Sequence, residues 1–387
     1  MKIDEQDLVS ATELARNTSQ LLAKVNAGRR FVIINRNSPT AALIGMDDLR
    51  LLEQLTEQRN TPAIPETTPP APPIDQAIAY LDALGIPHPS ATNADSSAWN
   101  PHDSWVHSET PGLQIPLGLA EDGTPVTANF ADITVGGDLG RHGLMQGAPG
   151  SGKSTALATT VLSLCALYPP ERVAFVLMSG HRYNAFRGFE ALPHVQRVIV
   201  GHDTDAIEEL VTHLETSATE RAELIRDSEW AAMDLATSSN SAPELFVVID
   251  ELEPMLRVDD RMAGSSGSLA RCLIDLTDRG RALQIHLLLS SQRHGVRPVE
   301  LKRNVSYRIS LTTHDSHESR EFIGTDGARF LPLGRGAAIL NKLHSGATPA
   351  ALTRFEFFNL MAAGPDGRPI RDALIDQISQ ATGSTDD

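Results

Sequence analysis

The residues best suited to chemistry stand in one short stretch, residues 145–155, which reads MQGAPGSGKST. Residues 147–154 satisfy the pattern G-x-x-x-x-G-K-[ST] at every required position. Glycines in such a loop let consecutive backbone N–H groups turn towards a phosphate, and the helix that follows adds the positive end of its dipole. The pattern predicts a phosphate-binding loop, with Lys153 on the β- and γ-phosphates of a nucleotide and Ser154 on Mg²⁺.

Two apolar runs further along the chain end in polar side chains. Residues 245–249 lead into Asp250 and Glu251. Beside a phosphate loop, Asp250 is expected to hold Mg²⁺ through water, and Glu251 is expected to polarise the attacking water. Residues 284–291 end at Gln292, which is either a sensor of the γ-phosphate or a simple strand-end cap. The residues predicted to bind ATP and Mg²⁺ are Gly147, Ala148, Pro149, Gly150, Ser151, Gly152, Lys153, Ser154, Thr155 and Asp250.

The elements around these residues alternate between strands and helices. Strands are predicted at residues 142–146, 172–178, 196–200, 245–250 and 284–291, helices at 156–168 and 205–227, and a hairpin at 114–119 and 125–129. Short continuous apolar strands that alternate with helices are typical of a parallel sheet covered on both faces. The predicted fold is therefore an α/β P-loop NTPase of RecA-like type, preceded by a small α+β domain.

Composition limits the class of protein. The chain has 387 residues, of which 41% are apolar, and a net charge of -16. This charge argues against a broad basic surface that wraps nucleic acid, but not against a local basic loop or pore. The two cysteines, Cys165 and Cys272, lie in apolar helical patterns, which excludes a disulfide framework. With no apolar run long enough to cross a membrane, a cytoplasmic location is predicted, and any membrane location would require a partner.

Residues 1–59 form a predicted module of their own. Ser10 and Glu13 fit a capping box that opens a helix, and two apolar runs follow around a hairpin turn. The stretch SATELARNTSQLLAKVNAGRRFVIINRNSPTAALIGMDDLRLL resembles the Phd/YefM antitoxin family, whose domains dimerise and bind operator DNA. The resemblance places Arg16 and Arg36 at DNA-contacting positions. The alternative is a dimerisation domain with solvated arginines, and no counterpart of the family's toxin-neutralising tail is recognisable.

Residues 60–111 are predicted to be a Pro/Ser-rich linker with one short helix, which Asp75 caps. Residues 112–345 are predicted to be the ATPase domain. Residues 346–387 are predicted to be a C-terminal tail, with an amphipathic helix that packs rather than functions.

Five segments together resemble the FtsK/SpoIIIE family of hexameric motor ATPases. They read HGLMQGAPGSGKST, ALPHVQRVIVGHD, LFVVIDELEPML, DRGRALQIHLLLSSQR and RNVSYRISLTT followed by ESREFIG. Within the family the chain is more similar to the EccC ATPases of type VII secretion. The resemblance implies that Arg281 is an arginine finger, which completes a neighbouring subunit's site in a ring. The chain departs from the EccC-like segment Asp-Phe-Lys-Gly-Gly at residues 179–183, which read SGHRY.

The segment THDSHE at residues 313–318 contains His, Asp and Glu, residue types that can bind a metal ion. Asp315 and Glu318 instead fit a capping box that opens the helix carrying Arg320, which makes a metal role the weaker interpretation.

Three functions compete. The first is an ATP-driven ring motor that a dimeric N-terminal module recruits to DNA. The second is a secretion ATPase of EccC type, which would move protein and work with a membrane-anchored partner. The third is a DNA-binding regulator that uses ATP only to switch its assembly.

Overall fold

The structure is a computed structural model that describes residues 8–26, 29, 31–35, 38–43, 45, 75–88, 99–106, 112–130, 139–180, 184–228, 242–263, 268–292, 301, 304–343 and 352–383. The chain divides into two compact units, Met1–Pro73 and Ile74–Asp387. No helix among the described residues is long and apolar enough to cross a membrane.

The described residues of the first unit contain a small three-stranded sheet and one helix. Its elements are β1 (Leu8–Ser10), α1 (Ala11–Asn26), β2 (Phe31–Asn35) and β3 (Ser38–Leu43). Strand β1 runs parallel to β2, and β2 runs antiparallel to β3. The buried side chains of its core are Val9, Leu21, Val25, Phe31 and Ile33. The predicted helix and hairpin are both present, whereas Arg36 and the helix predicted after Asp47 lie outside the described residues.

The second unit is built on ten strands and eight helices in its described part. The strands are β4 (Gln114–Leu119), β5 (Pro125–Asn129), β6 (His142–Gln146), β7 (Val173–Ser179), β8 (Val195–Val200), β9 (Glu244–Asp250), β10 (Ile285–Ser291), β11 (Tyr307–Leu311), β12 (Ala337–Lys342) and β13 (Leu352–Phe357). The helices are α2 (Gln76–Leu84), α3 (Pro101–Val106), α4 (Lys153–Leu167), α5 (Thr204–Ser228), α6 (Leu252–Ala263), α7 (Ser268–Leu283), α8 (Ser316–Ile323) and α9 (Ile370–Gly383).

The ten strands form one sheet in the order β5-β4-β13-β12-β11-β6-β10-β9-β7-β8. The strands from β11 to β8 are parallel, and β12, β13, β4 and β5 continue the sheet with antiparallel pairing. Strands β6, β7 and β10 are buried at every residue, as apolar strands covered on both faces should be. We call the end where the parallel strands finish the carboxyl edge, and the opposite end the amino edge.

Helices cover both faces of this sheet. On one face, α2, α3, α4 and α9 share a core that includes Tyr80, Trp105, Leu157 and Leu374. On the other, α5, α6, α7 and α8 share a core that includes Leu210, Met255, Leu273 and Phe322. Cys165 and Cys272 are both buried with free thiols.

The described helices of the segment predicted as linker pack into the second unit. In the segment predicted as tail, the helix packs as expected, whereas a strand was not predicted there. The helices α2 and α3 bury Tyr80 and Trp105 against α4, and the hydroxyl of Tyr80 is 2.9 Å from Ser163 Oγ. Strand β13 lies inside the sheet between β12 and β4. A Cβ on Gly118 of β4 would fall 1.9 Å from the carbonyl oxygen of Glu356, so only glycine permits this approach.

Two helix starts agree with the predicted caps. The Asp75 carboxylate accepts hydrogen bonds from the N–H groups of Ala77 and Ile78. The Asp315 carboxylate accepts from the Glu318 N–H, and the Glu318 carboxylate in turn accepts from the His314 N–H. The predicted cap at Asp315 is therefore confirmed. Separately, the described residues hold no cluster of His, Cys, Asp and Glu fit for a metal ion.

An ionic cluster with one buried and two partly buried members lies at the amino edge, where β6, β9 and β10 begin. His286 Nε2 donates to Glu244 Oε2 at 2.5 Å, and Arg141 Nη1 donates to the same oxygen at 3.1 Å. The His286 ring stacks on Phe246 with centroids 4.2 Å apart. Burial by itself would raise the pKa of Glu244, but the His286 hydrogen bond and the Arg141 charge outweigh it and lower that pKa to about 2. The cluster therefore carries a carboxylate that is ionised at neutral pH.

Candidate nucleotide-binding and hydrolysis site

The predicted phosphate loop leaves the carboxyl edge of the sheet between two neighbouring strands. The Gly147 N–H donates to the carbonyl of Ser291 at the end of β10, at 3.3 Å. The Ala148 N–H donates to the carbonyl of Thr312, just past β11, at 2.7 Å. The start of the loop is thus fixed from both sides before the chain enters α4 at Lys153.

Glycine is required at three points of the loop. Gly150 and Gly152 have φ of 75° and 107°, in the left-handed region that side chains disfavour. A Cβ on Gly147 would fall 2.5 Å from Ser151 Oγ. The same tight packing continues outside the loop, because a Cβ on Gly152 would fall 3.1 Å from the Cα of Gly336.

Lys153 is buried at the base of this loop. Its Nζ donates to the carbonyls of Gly147 at 2.8 Å and Ala148 at 3.3 Å, and it lies 3.5 Å from Glu251 Oε1. Burial lowers the pKa of Lys153, and the charges of Glu251 and Asp250 work against that shift. A lysine ammonium is therefore held where this type of loop binds the β- and γ-phosphates.

Asp250 connects the phosphate loop to two strands of the sheet. Ser154 Oγ donates to Asp250 Oδ2 at 2.7 Å, and Ser290 Oγ donates to Asp250 Oδ1 at 2.8 Å. The Glu251 N–H donates to Ser290 Oγ at 3.1 Å. Ser290 was not predicted from the sequence, although the serines that end the apolar run LLLSS of β10 were the available signal.

Glu251 has an unusual backbone for a residue other than glycine, with φ of 63°. Such conformations persist where the surroundings enforce them, and they concentrate at functional sites. Here the Gly180 N–H donates to the Asp250 carbonyl at 2.9 Å, and a Cβ on Gly180 would fall 2.6 Å from the Glu251 carbonyl oxygen. Gly180 stands in the segment that departs from the EccC-like pattern, of which residues 181–183 lie outside the described residues.

Of the two polar residues that follow the strands beside the loop, Gln292 was predicted from the sequence and Thr312 was not. Gln292 directly follows Ser291, whose carbonyl binds the first glycine of the loop. Thr312 was missed, although it occupies the equivalent place directly after β11. Its hydroxyl lies 3.2 Å from the carbonyl oxygens of both Leu331 and Pro332. Thr312 thereby joins the phosphate loop to the turn that contains Gly336.

Three predicted residues lie outside this cluster. Arg281 is in the last turn of α7, directly before β10, and so belongs to the amino edge. The seven residues of β10 separate it from the carboxyl edge by roughly 20 Å. Arg16 is an exposed residue of α1 in the first unit, and Arg36 lies outside the described residues.

Comparison with known proteins assigns the second unit. Residues 102–350 match the profile of the FtsK/SpoIIIE family. The chain is 33% identical over 240 residues to the ESX secretion system protein EccC of Thermomonospora curvata, a match that covers 59% of this chain and 18% of that protein. It is 32% identical over 243 residues to the ESX-1 secretion system protein EccCa1 of Mycobacterium tuberculosis, covering 57% of this chain and 31% of that protein.

A solved structure gives the same assignment. The cytoplasmic domain of the Thermomonospora curvata type VII secretion ATPase EccC superposes with a TM-score of 0.63 at 29% identity, over 77% of this chain and 34% of that chain. The predicted P-loop α/β fold is thereby confirmed. The chain spans less than a third of the length of these two curated relatives.

Proposed function

Because the chain belongs to the FtsK/SpoIIIE family of ATPases, we propose that it is the subunit of an ATP-hydrolysing ring motor and that its N-terminal module recruits the ring to DNA. One observation supports the hydrolytic part above the others. Lys153, Ser154, Asp250 and Glu251 converge at the carboxyl edge, joined by the contacts of 2.7 to 3.5 Å given above.

The roles follow from the position of each group. Backbone N–H groups of residues 152–154, at the start of α4, would bind the phosphates, because those of Gly147, Ala148 and Ser151 donate to backbone carbonyls. The Lys153 ammonium would meet the β- and γ-phosphates. Glu251 is the base that orients and polarises the attacking water, and Gln292, directly after β10, is the sensor of the γ-phosphate. The strained backbone of Glu251, enforced by Gly180, fixes the direction of that carboxylate.

The Ser154 and Asp250 pair also fits Mg²⁺. A hydroxyl and a carboxylate oxygen 2.7 Å apart are the hard oxygen donors that this ion takes in nucleotide sites. Ser154 would bind the ion directly and Asp250 through water. When bound, Mg²⁺ would neutralise charge on the β- and γ-phosphates.

The position of Arg281 supports assembly. An arginine at the amino edge does not reach the phosphate loop of its own subunit, roughly 20 Å away. In a ring, the same side chain can meet the γ-phosphate held by the next subunit. We therefore propose that Arg281 acts as an arginine finger in trans, and that the ring is a hexamer, as the family resemblance implies.

DNA is the substrate or anchor that we propose first. It follows from the resemblance of residues 1–59 to Phd/YefM antitoxins, and the exposed side chain of Arg16 on α1 is compatible with a phosphate contact. Dimerisation through the same module is part of this proposal.

The second candidate is a secretion ATPase that moves protein. It rests on the identity of 33% with a secretion system protein. A cytoplasmic location belongs to both proposals, since the solved relative is the cytoplasmic domain of its protein.

Duplex DNA should raise the rate of ATP hydrolysis by the full chain. The measurement is steady-state phosphate release with and without a 40-bp duplex, at several salt concentrations, because phosphate contacts weaken as salt rises. The Lys153→Ala variant gives the background rate. A rate that ignores DNA at low salt would favour the secretion candidate.

The N-terminal module should carry the DNA affinity. Changing Arg16 and Arg36 together to Ala in the full chain should weaken binding in a gel-shift titration and flatten its dependence on salt. The matched control is Lys24→Ala, which removes another exposed cation from α1. If the double variant binds DNA as tightly as the control, the module serves dimerisation alone.

A further inference from the structure

The end of α7, which carries Arg281, is tied to the amino edge by one buried arginine. Arg221 lies on α5 and is 6% exposed. Its Nη1 donates to the carbonyl of Leu283 at 3.2 Å, and its Nη2 donates to the carbonyl of Pro243 at 2.6 Å. One guanidinium thus joins the last residue of α7 to the residue that precedes β9.

A second contact fixes the same turn from below. Gly280 packs against the first residue of β6, and a Cβ placed on it would fall 2.7 Å from His142 Cε1 and 2.9 Å from the carbonyl oxygen of Ile285. Any larger residue at position 280 would therefore lift the last turn of α7 from the sheet.

The chain leaves the helix through a constrained residue. Gln284 has φ of 54°, a left-handed conformation that is uncommon outside glycine. The Leu245 N–H donates to the Gln284 carbonyl at 2.9 Å, which holds this residue to β9. Arg281 therefore projects from a turn whose two ends are both fixed to the amino edge.

The surface under this turn is also rigid. The ionic cluster of Arg141, Glu244 and His286 spans the starts of β6, β9 and β10. Pro243, which Arg221 binds, directly precedes Glu244 of that cluster. A shift of the α7 end would thus disturb the partly buried Glu244 carboxylate and its hydrogen bonds to Arg141 and His286, which adds to the cost of moving it.

We propose that Arg221 and Gly280 are positioning residues for Arg281, which set the direction of the finger towards the neighbouring subunit. This rests on the proposed function, in which Arg281 completes a neighbour's site. Neither residue touches the nucleotide, and both act through the last turn of α7. The planar guanidinium is needed because a lysine ammonium has no fixed fork with which to span two carbonyls.

The test uses the full chain with Arg221→Lys and, separately, Gly280→Ala. Turnover should fall by about 100-fold, because small misplacements of a catalytic group cost that much, while the affinity for a fluorescent ATP analogue stays unchanged. The matched control is Arg308→Lys. That arginine also donates to a helix carbonyl, of Phe322 at 3.0 Å, but belongs to β11 and α8. The control should keep its turnover.

Mixing subunits separates a positioning role from a general structural one. Each variant retains its own Lys153 and Glu251, so a mixture with inactive Glu251→Gln should regain hydrolysis at junctions that pair an intact finger with an intact base. The mixture of Arg281→Ala with Glu251→Gln is the reference. If that reference fails to regain activity, the trans mechanism in the proposed function is wrong.

If the reference regains activity and the Arg221→Lys mixture does not, the positioning inference is overturned. Wild-type turnover by Arg221→Lys would overturn it equally. Thermal unfolding reports whether each variant is folded. If Arg221→Lys is unfolded, Gly280→Ala decides by the same two criteria, because it changes the same turn and leaves the buried guanidinium of Arg221 in place.

Discussion

Glu251→Gln should bind ATP with wild-type affinity and hydrolyse it about 100- to 10,000-fold more slowly, the range expected for the loss of a general base. The amide keeps the size of the side chain and removes the charge that polarises water. Lys153→Ala should behave differently, because it removes the cation placed for the phosphates and should abolish tight binding. Fluorescence titration with an ATP analogue and phosphate release measure the two properties independently.

The matched control for this change is Glu253→Gln. Glu253 lies two residues further on, in the first turn of α6, and its carboxylate pairs with Arg257 at 2.5 Å. The Glu253→Gln variant also loses one carboxylate charge, but this charge lies outside the cluster of Lys153, Ser154 and Asp250, so turnover should persist. Hydrolysis by Glu251→Gln at the wild-type rate would show that another group activates the water.

Arg281→Ala should lose about 1,000-fold or more in turnover while it keeps its affinity for ATP, which is the effect of removing an arginine finger. The specific activity of the wild-type protein should also rise with its concentration, because a site is complete only when subunits meet. Arg279→Ala is the matched control. Arg279 is an exposed arginine on the same helix that pairs with Asp275 of the preceding turn.

Two results would contradict the finger. One is constant specific activity in a dilution series of a protein that light scattering reports as monomeric. The other is a mixture of Arg281→Ala and Glu251→Gln that stays inactive although the subunits assemble. In either case Arg281 would be a cation at a helix end, where it interacts favourably with the helix dipole.

The strands around the phosphate loop could be predicted because each is a continuous apolar run bounded by polar residues. Strand β6 spans the predicted residues 142–146, and β9 begins one residue before its apolar run. Strand β13 could not be found in this way. Its sequence LTRFEF mixes apolar and polar residues instead of forming a continuous apolar run. One of its two neighbours in the sheet, β4, lies near the start of the second unit and far from β13 in sequence. The packing of α2 and α3 was hidden by the proline-rich segment beside them.

The residues of the candidate site also fall into a group that could be predicted from the sequence and a group that could not. Residue types at fixed spacing led to the prediction of Lys153, Asp250 and Glu251, because the chemistry of phosphate binding demands those types, and the structure brings Lys153 to within 3.5 Å of Glu251. Ser290 and Thr312 were missed, since a serine or threonine at a strand end acquires a role only through register with the neighbouring strand. The direction of β10, which separates Arg281 from its own loop, likewise follows from the sheet and not from the spacing of residues.

The place of β13 has a practical consequence for anyone who shortens the chain. A fragment that stops at residue 345 retains the whole phosphate loop together with Asp250 and Glu251. It nevertheless omits the strand that joins β12 to β4, so the β4–β5 hairpin loses its bond to the rest of the sheet. Strand β12 and the end of β4 would then expose unpaired backbone, and such open edges promote aggregation. An ATPase fragment intended for solution work should therefore extend through α9.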